Sequence, residues 1–264
     1  MRPWTRIAAT VAAGLLLLLG LGVSVIRVGA FETRGLLGID YRLMMELGQR
    51  WRETGSIYAA YQLAGPYRFD VASGSTNVDA MPALYPPIVG PVFAIFGILP
   101  AVLWWAIPLG VLTYAFVRWR PARWTWPLFA ALVFWPIPAS VLAVGGTTMW
   151  VTAAVAGGLL WGWPAVLIAL KPSLAPFMLL GVRSRWWWIG LVVLGAMSVL
   201  MLPEWLRYIT VIRNAQSSGL AYSLGDIPLL LAPVLAWAAR TSPRPERTGS
   251  VGLSLPRQLR RSSA

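Results

Sequence analysis

Long apolar segments without charged side chains constrain the fold of this chain more than any other feature. Residues 7–26 form one such segment, and several later segments are nearly as apolar. A helix needs about 20 apolar residues to cross the hydrocarbon core of a bilayer. The composition, with 58% hydrophobic and only 12% charged residues, also lies outside the range of soluble domains. The sequence therefore predicts an all-α, polytopic membrane protein, because helices satisfy their own backbone hydrogen bonds in lipid.

The positions of the arginines predict how the chain is oriented. The formal net charge is +13, and the basic residues cluster at the ends of apolar segments and near the C-terminus. This is typical of cytoplasmic loops in membrane proteins. We predict a multi-pass protein of the plasma membrane with a cytoplasmic N-terminus, a membrane domain over residues 1–239, and a disordered basic cytoplasmic tail over 240–264 that is attracted to anionic lipid. The same placement argues against nucleic-acid binding.

The later apolar segments predict the remaining crossings. Residues 86–117 are interrupted by prolines and fit either two crossings or a half-penetrating helix followed by one crossing. Residues 164–181 are interrupted by Lys171-Pro172, which predicts a hairpin of two short helices with Lys171 at its tip if both flanks are cytoplasmic. A polar external loop is expected over 203–225. Single crossings are expected at 126–144, 149–160, 186–202 and 226–239.

Most acidic residues lie in one segment that follows the first apolar run. Six of the nine Asp and Glu residues fall between residues 32 and 79, and the predicted orientation places residues 32–85 outside the membrane. Asp40 stands at the start of an amphipathic pattern, where a carboxylate can cap a helix. The pattern predicts a helix that lies in the membrane interface. Its apolar positions are Leu43, Met44, Leu47 and Trp51.

Four features could carry chemistry, and each also has a purely structural interpretation. Asp40 is either catalytic or a helix cap, and Tyr85-Pro-Pro is either part of a site or a helix entry. Gly145-Gly-Thr-Thr148 opens a predicted helix whose backbone N–H groups either bind an anion or form an ordinary turn. Lys171, the only lysine, is either functional or extends to the nearer interface, since a charge at membrane depth costs about 2.5–3.5 kcal/mol.

In their order along the chain, these features resemble motifs of glycosyltransferase family 87. The resemblance covers about residues 5 to 240. It implies a GT-C-like helical bundle whose external first loop bears interfacial helices and the catalytic aspartate, here Asp40. The matching residues are Gly38-Ile-Asp40-Tyr41, Gly55-Ser-Ile-Tyr58, Leu84-Tyr-Pro-Pro87, Gly145-Gly-Thr-Thr-Met-Trp150 and Leu170-Lys-Pro172.

The resemblance also implies a reaction, the transfer of mannose from a polyprenyl-phosphate donor. The expected partners are this donor, a lipid or glycan acceptor, and membrane lipids. The expected phosphate-binding residues are Lys171, Gly146 and Thr147. The expected substrate-cavity residues are Tyr41, Tyr58, Tyr85 and Asp79, of which Asp79 is also the second candidate for the general base.

The residue types in the chain are compatible with that chemistry. Transfer needs a carboxylate that takes the proton of the acceptor hydroxyl, together with cationic or N–H groups at the leaving phosphate. The chain contains neither Cys nor His, which excludes disulfides, thiol chemistry and the commonest metal ligands. We expect neither a metal site nor a cofactor, because Lys or Arg can bind a single phosphate leaving group.

Two other functions stay open on the sequence alone. A small transporter or flippase would use Lys171 and the interrupted helices as a substrate path, although no inverted repeat is visible. A non-catalytic subunit derived from a transferase would fit the short chain. An external cavity that contains Asp40 and opens to lipid would favour the enzyme, whereas a central cavity that opens alternately to either side would favour the transporter.

Overall fold

The computed structural model describes residues 3–67, 82–216 and 225–241, and these residues form helices, turns and two isolated β-bridges. The prediction of an all-α protein is confirmed. Asp79 and the part of the predicted tail beyond residue 241 lie outside the described residues. The α-helices are α1 (Pro3–Thr33), α2 (Ile39–Thr54), α3 (Ala60–Ala64), α4 (Val89–Phe96), α5 (Val102–Trp119), α6 (Trp126–Phe134), α7 (Pro136–Val144), α8 (Thr148–Trp161), α9 (Arg185–Leu200), α10 (Leu202–Asn214) and α11 (Ile227–Ala238).

Helix length and composition support a membrane protein. Within the described ranges, Thr10–Thr33 of α1 and all of α5 are long and apolar enough to cross a bilayer. The pairs α6–α7 and α9–α10, bent by 60° and 84°, qualify only if each bent pair is one span. The number of candidate spans is therefore two to four. For residues 86–117 the structure selects a short helix, α4, followed by one helix of spanning length, α5.

The bend between α6 and α7 has an identifiable cause. Pro136 begins α7 and has no N–H to continue the hydrogen-bond ladder of α6. The polar side chains of α1 bind the carbonyls at this break: Arg27 Nη1 donates to Phe134 O at 2.6 Å, and Ser24 Oγ donates to Val133 O at 3.2 Å. A broken helix is tolerated in a membrane when a neighbouring helix supplies such groups.

The expectation of a polar external loop over 203–225 is wrong for residues 203–214, which belong to α10. Its polar residues interrupt an apolar pattern rather than end it. Tyr208 and Val211 are spaced three residues apart and are both buried, as expected for one face of an amphipathic helix. Glu204 and Arg207 form an ion pair of 2.7 Å along the helix.

α8 occupies the centre of the described structure, where it packs against α5, α11 and a pair of 3₁₀ helices. Ten of its 14 residues are buried. Small residues permit this close packing. A Cβ atom added to Gly158 would lie 2.6 Å from the Cβ of Ala165, and one added to Gly157 would lie 3.0 Å from Pro164. Glycine at these two positions thus lets the first 3₁₀ helix touch the α8 backbone.

Two 3₁₀ helices, Trp163–Leu170 and Pro172–Gly181, form a hairpin that turns at Lys171. We call it the 3₁₀ hairpin. Its two arms pack against each other, as predicted for two short helices with Lys171 at the tip. At about 2.0 Å per residue, the arms are about 16 and 20 Å long. Each is shorter than the hydrocarbon core of a bilayer, which is about 30 Å thick.

A set of hydrogen bonds, called here the Gln62 clasp, joins the segment after α3 to the end of α10. The Gln62 side chain is fully buried. It donates to Ala83 O at 3.1 Å and to the Tyr67 hydroxyl at 3.3 Å, and it accepts from Ala83 N at 3.2 Å. The Tyr67 backbone in turn pairs with Asn214 O and Gln216 N, both at 3.0 Å. The clasp therefore fixes Tyr67 against the end of α10 and binds Ala83 to Gln62 of α3.

Candidate functional site

The starts of three α-helices and the turn of the 3₁₀ hairpin meet at one place. Asp40 is in the first turn of α2, Thr148 is the first residue of α8, Asp226 is the N-cap residue of α11, and Lys171 is the hairpin turn. Helix N-termini carry a partial positive charge, so their convergence favours negatively charged groups at this place. Two of the four residues are carboxylates, and the third charged residue is the ammonium group of Lys171.

Lys171 is buried, with 5% of its surface exposed. Its Nζ donates to Thr148 Oγ1 at 2.6 Å and to Asp226 Oδ2 at 3.1 Å, while Thr148 Oγ1 donates to the same Asp226 oxygen at 2.6 Å. Lys171 is therefore paired inside the protein, and its side chain does not extend to solvent. Its partners are an acid and a hydroxyl at the helix starts, as expected for a charge that is buried at low cost.

Asp40 is not the cap of α2. The N-cap residue is Gly38, which adopts a left-handed backbone with φ of 67°, and Asp40 follows as the second residue of the helix. Burial raises the pKa of Asp40 from its ordinary value of 3.8 to about 6, with Lys171 lowering it and Asp226 raising it further. A carboxyl group that changes protonation close to neutral pH is suited to accept a proton from a substrate.

Gly146 contributes to this site because it has no side chain, and its N–H group is bound elsewhere. The N–H groups of Gly145 and Gly146 both donate to Val141 O and so close the end of α7. Both N–H groups are therefore already bound in the structure, and the binding of a phosphate by Gly146 stays a prediction. A Cβ atom added to Gly146 would lie 3.3 Å from Asp40 Oδ2. The absence of a side chain here lets the Asp40 carboxylate lie directly over the turn before α8.

The predicted tyrosines are brought to the same region by hydrogen bonds and ring contacts. The Tyr85 hydroxyl pairs with Thr147 Oγ1 at 3.0 Å, and the Tyr58 hydroxyl donates to Tyr85 O at 2.9 Å. The Tyr41 ring packs against Trp104 with 5.9 Å between centroids. The hydroxyl groups of Tyr85 and Thr147 thus lie together at the site. Tyr58 positions the backbone of Tyr85, and Tyr41 packs against Trp104, which lines the neighbouring cavity.

A narrow cavity of about 190 Å³ lies beside Lys171. Its polar residues, Tyr85, Thr147 and Lys171, all belong to the site described above. The exposed surface of the cavity is almost entirely apolar, so it suits the apolar part of a ligand. The remaining lining residues come from α4, α5, α8 and the first arm of the 3₁₀ hairpin: Val89, Val92, Phe93, Phe96, Trp104, Trp150, Val151, Ala154, Leu167 and Leu170.

Sequence reasoning missed two residues of the site, Thr148 and Asp226. Thr148 was part of the glycine-rich turn but had no assigned role. Asp226 was noted only as the start of the last apolar segment. The signal was available, because a single lysine at membrane depth requires an acidic partner, and Asp226 is the acid that immediately precedes an apolar helix.

The other acids of α2 lie apart from the site. Glu46 pairs with Arg50 at 3.8 Å, and Glu53 accepts a hydrogen bond from Gln49 at 2.9 Å. Both contacts join residues that are four positions apart on the helix. In the described ranges, no group of three or more Asp and Glu residues is placed to hold a metal ion.

Comparison of the chain with protein-family models, with curated proteins and with solved structures gives no match. The likeness to glycosyltransferase family 87 therefore rests on the short motifs alone. Function must be argued from the chemistry of the residues that the fold brings together.

Proposed function

We propose that the chain is a membrane glycosyltransferase that moves a sugar from a polyprenyl-phosphate donor to a lipid or glycan acceptor on the outer face of the membrane. The observation that carries this proposal is that Asp40 lies close enough to the buried Lys171 for their charges to interact, and that Lys171 also lines an apolar cavity. Asp40 can accept a proton, Lys171 can bind a phosphate, and the cavity can hold the start of a prenyl chain. The likeness to family 87 favours mannose as the sugar.

The donor phosphate would bind at the polar end of the cavity. Lys171 lines this end, and the N-termini of α8 and α11 add partial positive charge. A charge-assisted hydrogen bond from an ammonium group to a phosphate is among the stronger contacts that a site can offer. The apolar walls from α4 and α8 would then contact the first part of the lipid chain.

The chemical step needs one proton acceptor and one stabilised leaving group. The oxygen of the acceptor hydroxyl attacks the anomeric carbon, and its proton moves to the Asp40 carboxylate. The bond between the anomeric carbon and the phosphate oxygen breaks, and its electron pair stays on the phosphate, where Lys171 stabilises the charge. A single displacement of this kind inverts the configuration at the anomeric carbon.

Transfer of a labelled sugar tests the proposal directly. Membranes that contain the protein, incubated with radiolabelled polyprenyl-phosphate mannose, should yield a labelled acceptor. Asp40→Asn should reduce the rate by about 10²–10⁴-fold, because that is the usual contribution of a positioned general base. The side chain keeps its size, and the cap of α2 is unaffected because it is Gly38.

Glu46→Gln is the matched control, since Glu46 is on the same helix but pairs only with Arg50 at the surface. It should transfer sugar at the normal rate. A folded Asp40→Asn protein with full activity would contradict the assignment of the general base and direct attention to Asp79.

One observation favours a second candidate, a transporter or flippase. The buried pair of Lys171 and Asp226 at a break between short helices is also typical of substrate paths in transporters. This alternative predicts movement of a labelled lipid across proteoliposomes without transfer of its sugar. Such movement, unchanged in Asp40→Asn, would favour the transporter over the enzyme.

A further inference from the structure

We infer that Asp226 competes with a phosphate monoester for Lys171, so that binding of a lipid phosphate exchanges one anionic partner of the ammonium group for another. The inference deepens the proposed function, and it depends on that proposal only for the choice of a lipid phosphate as the ligand. The exchange requires three features of the site: a bond that can be broken, an approach for the ligand, and a reason why both anions cannot stay.

The bond to be broken is the contact between Lys171 and Asp226. A single oxygen, Asp226 Oδ2, accepts from both Lys171 at 3.1 Å and Thr148 at 2.6 Å. Thr148 is bound to both charged groups, since its hydroxyl accepts from Lys171 and donates to Asp226. Loss of the longer bond would leave Asp226 held by Thr148 and Lys171 held by the same hydroxyl. The threonine can therefore keep both groups in place during the exchange.

The approach for the ligand is the narrow cavity. Lys171 is part of its wall, next to Tyr85 and Thr147. Asp226 reaches the same ammonium group from the start of α11. The exposed surface of this cavity is almost entirely apolar, so a prenyl chain would fill it, and the attached phosphate would reach the Lys171 ammonium group as its contact with Asp226 opens.

Both anions cannot stay without mutual repulsion. The Lys171 side chain is buried and that of Asp226 is partly buried, with relative exposures of 6% and 17%, so solvent screens their charges little. A phosphate that approaches Lys171 also approaches the carboxylate of Asp226. Removal of the negative charge of Asp226 should therefore strengthen phosphate binding, even though it removes a native contact.

Asp226→Asn separates competition from simple positioning. The variant keeps the size of the side chain and an oxygen that can accept from Thr148, but it loses the charge. We expect farnesyl monophosphate to bind at least tenfold more tightly to this variant than to the wild-type protein. If Asp226 only orients Lys171, the same variant will bind the ligand equally or more weakly, and that result would overturn the inference.

The measurement is calorimetric titration of the purified full chain in detergent micelles with three probes. Farnesyl monophosphate should bind, farnesol should bind at least tenfold more weakly, and inorganic phosphate should bind at least tenfold more weakly. Equal binding of farnesol would remove the role of the phosphate and overturn the inference. Equal binding of inorganic phosphate would keep the exchange but assign the site to a free phosphate rather than to a lipid headgroup.

Two control variants protect the interpretation. Glu204→Gln changes another acid in the first turn of a helix, one that pairs with Arg207, and should leave farnesyl monophosphate binding unchanged. Lys171→Met alone leaves Asp226 buried without its cation and is expected to be unstable. The double variant Lys171→Met with Asp226→Asn removes both charges, so it should fold and fail to bind. Binding by this folded double variant at the strength of Asp226→Asn would contradict the exchange.

The outcomes also separate this inference from the proposed enzyme activity. The probes carry no sugar, so their binding does not require transfer. Tighter binding to Asp226→Asn without any sugar transfer by the wild-type protein would support the exchange and reject the glycosyltransferase. Sugar transfer by the wild-type protein without tighter binding to Asp226→Asn would support the glycosyltransferase and reject the exchange.

Discussion

The cations at the two ends of α8 differ in their burial. At its start, Lys171 is buried and bonded to Thr148 and Asp226 beside a narrow cavity of about 190 Å³. Near its end, the exposed Arg183 lies at the rim of a wide cavity of about 1080 Å³. That second cavity is also lined by Trp161, Trp163 and Trp186, which are all largely exposed.

This difference shows that burial, rather than charge itself, distinguishes a candidate site in a chain with so many basic residues. An exposed arginine among tryptophans is typical of a membrane interface, where it sets orientation. A buried lysine loses its hydrogen bonds to water, and hydrogen bonds to specific protein groups must replace them. The start of α8 is therefore where substitution should affect chemistry, and its end is where substitution should affect orientation or packing.

The largest expected difference between the two ends comes from replacing each cation by methionine. Lys171→Met would remove the proposed charge-assisted contact to the donor phosphate, and such a contact is worth about 1.5–3 kcal/mol or about 10- to 150-fold in use of the donor. It should also lower the unfolding temperature, because Asp226 loses its partner. Arg183→Met should leave both unchanged. The comparison would fail if Lys171→Met used donor normally in the transfer assay.

The second difference concerns pH. A general base must be deprotonated, and burial raises the pKa of Asp40 to about 6. The ratio kcat/KM should therefore fall about tenfold for each pH unit below 6 and level off above it. An aspartate with an ordinary pKa of 3.8 would place this fall about two units lower. A profile that stays flat down to pH 5, measured with protein that remains folded, would exclude Asp40 as the titrating base.

The third difference uses one glycine at each end of α8. In Gly146→Ala the new methyl group would lie 3.3 Å from Asp40 Oδ2, so Asp40 must shift slightly. We expect a several-fold lower transfer rate with little loss of stability. In Gly158→Ala the methyl group would lie 2.6 Å from Ala165, and such overpacking typically costs about 1–3 kcal/mol. Transfer assays should show the larger loss of activity in Gly146→Ala, and thermal unfolding should show the larger loss of stability in Gly158→Ala. If both variants lost the same property, the two ends of α8 would not differ in role.

The smallest effect on the protein is expected from cysteine labelling, which tests on which side of the membrane each end of the structure lies. Glu53→Cys and Arg183→Cys place single thiols at two exposed positions in a chain that has no cysteine. An impermeant reagent applied to intact cells should label position 53 and not position 183. Both variants should stay active. Labelling of both positions from outside would refute the predicted orientation.

The sequence predicted those parts of the fold that depend on local pattern. The apolar segments and the hairpin that turns at Lys171 follow from composition and from helix-breaking residues. The segment 203–214 was missed because its charged residues, Glu204, Arg207 and Arg213, suggest an exposed loop when the surface that buries Tyr208 is not known. The burial of an amphipathic helix is a property of its neighbours rather than of its own residues.

The site was predicted in part for the same reason. Asp40 and Lys171 stand out as rare charges in an apolar chain, and the fold brings them to one place. The partner of Lys171 was not predictable from spacing, because 55 residues separate it from Asp226. The role of Gly146 was also hidden, since it depends on how α2 lies over the turn before α8.

The Gln62 clasp has a consequence for how this protein can change over evolutionary time. Hydrogen bonds hold both Tyr67 and Ala83 in place. The two ends of the segment between them are therefore fixed in position. Doubling the length of such a connection costs only about 0.6 kcal/mol in closure entropy. Insertions and deletions between Tyr67 and Ala83 should therefore be accepted without moving Asp40 or Lys171.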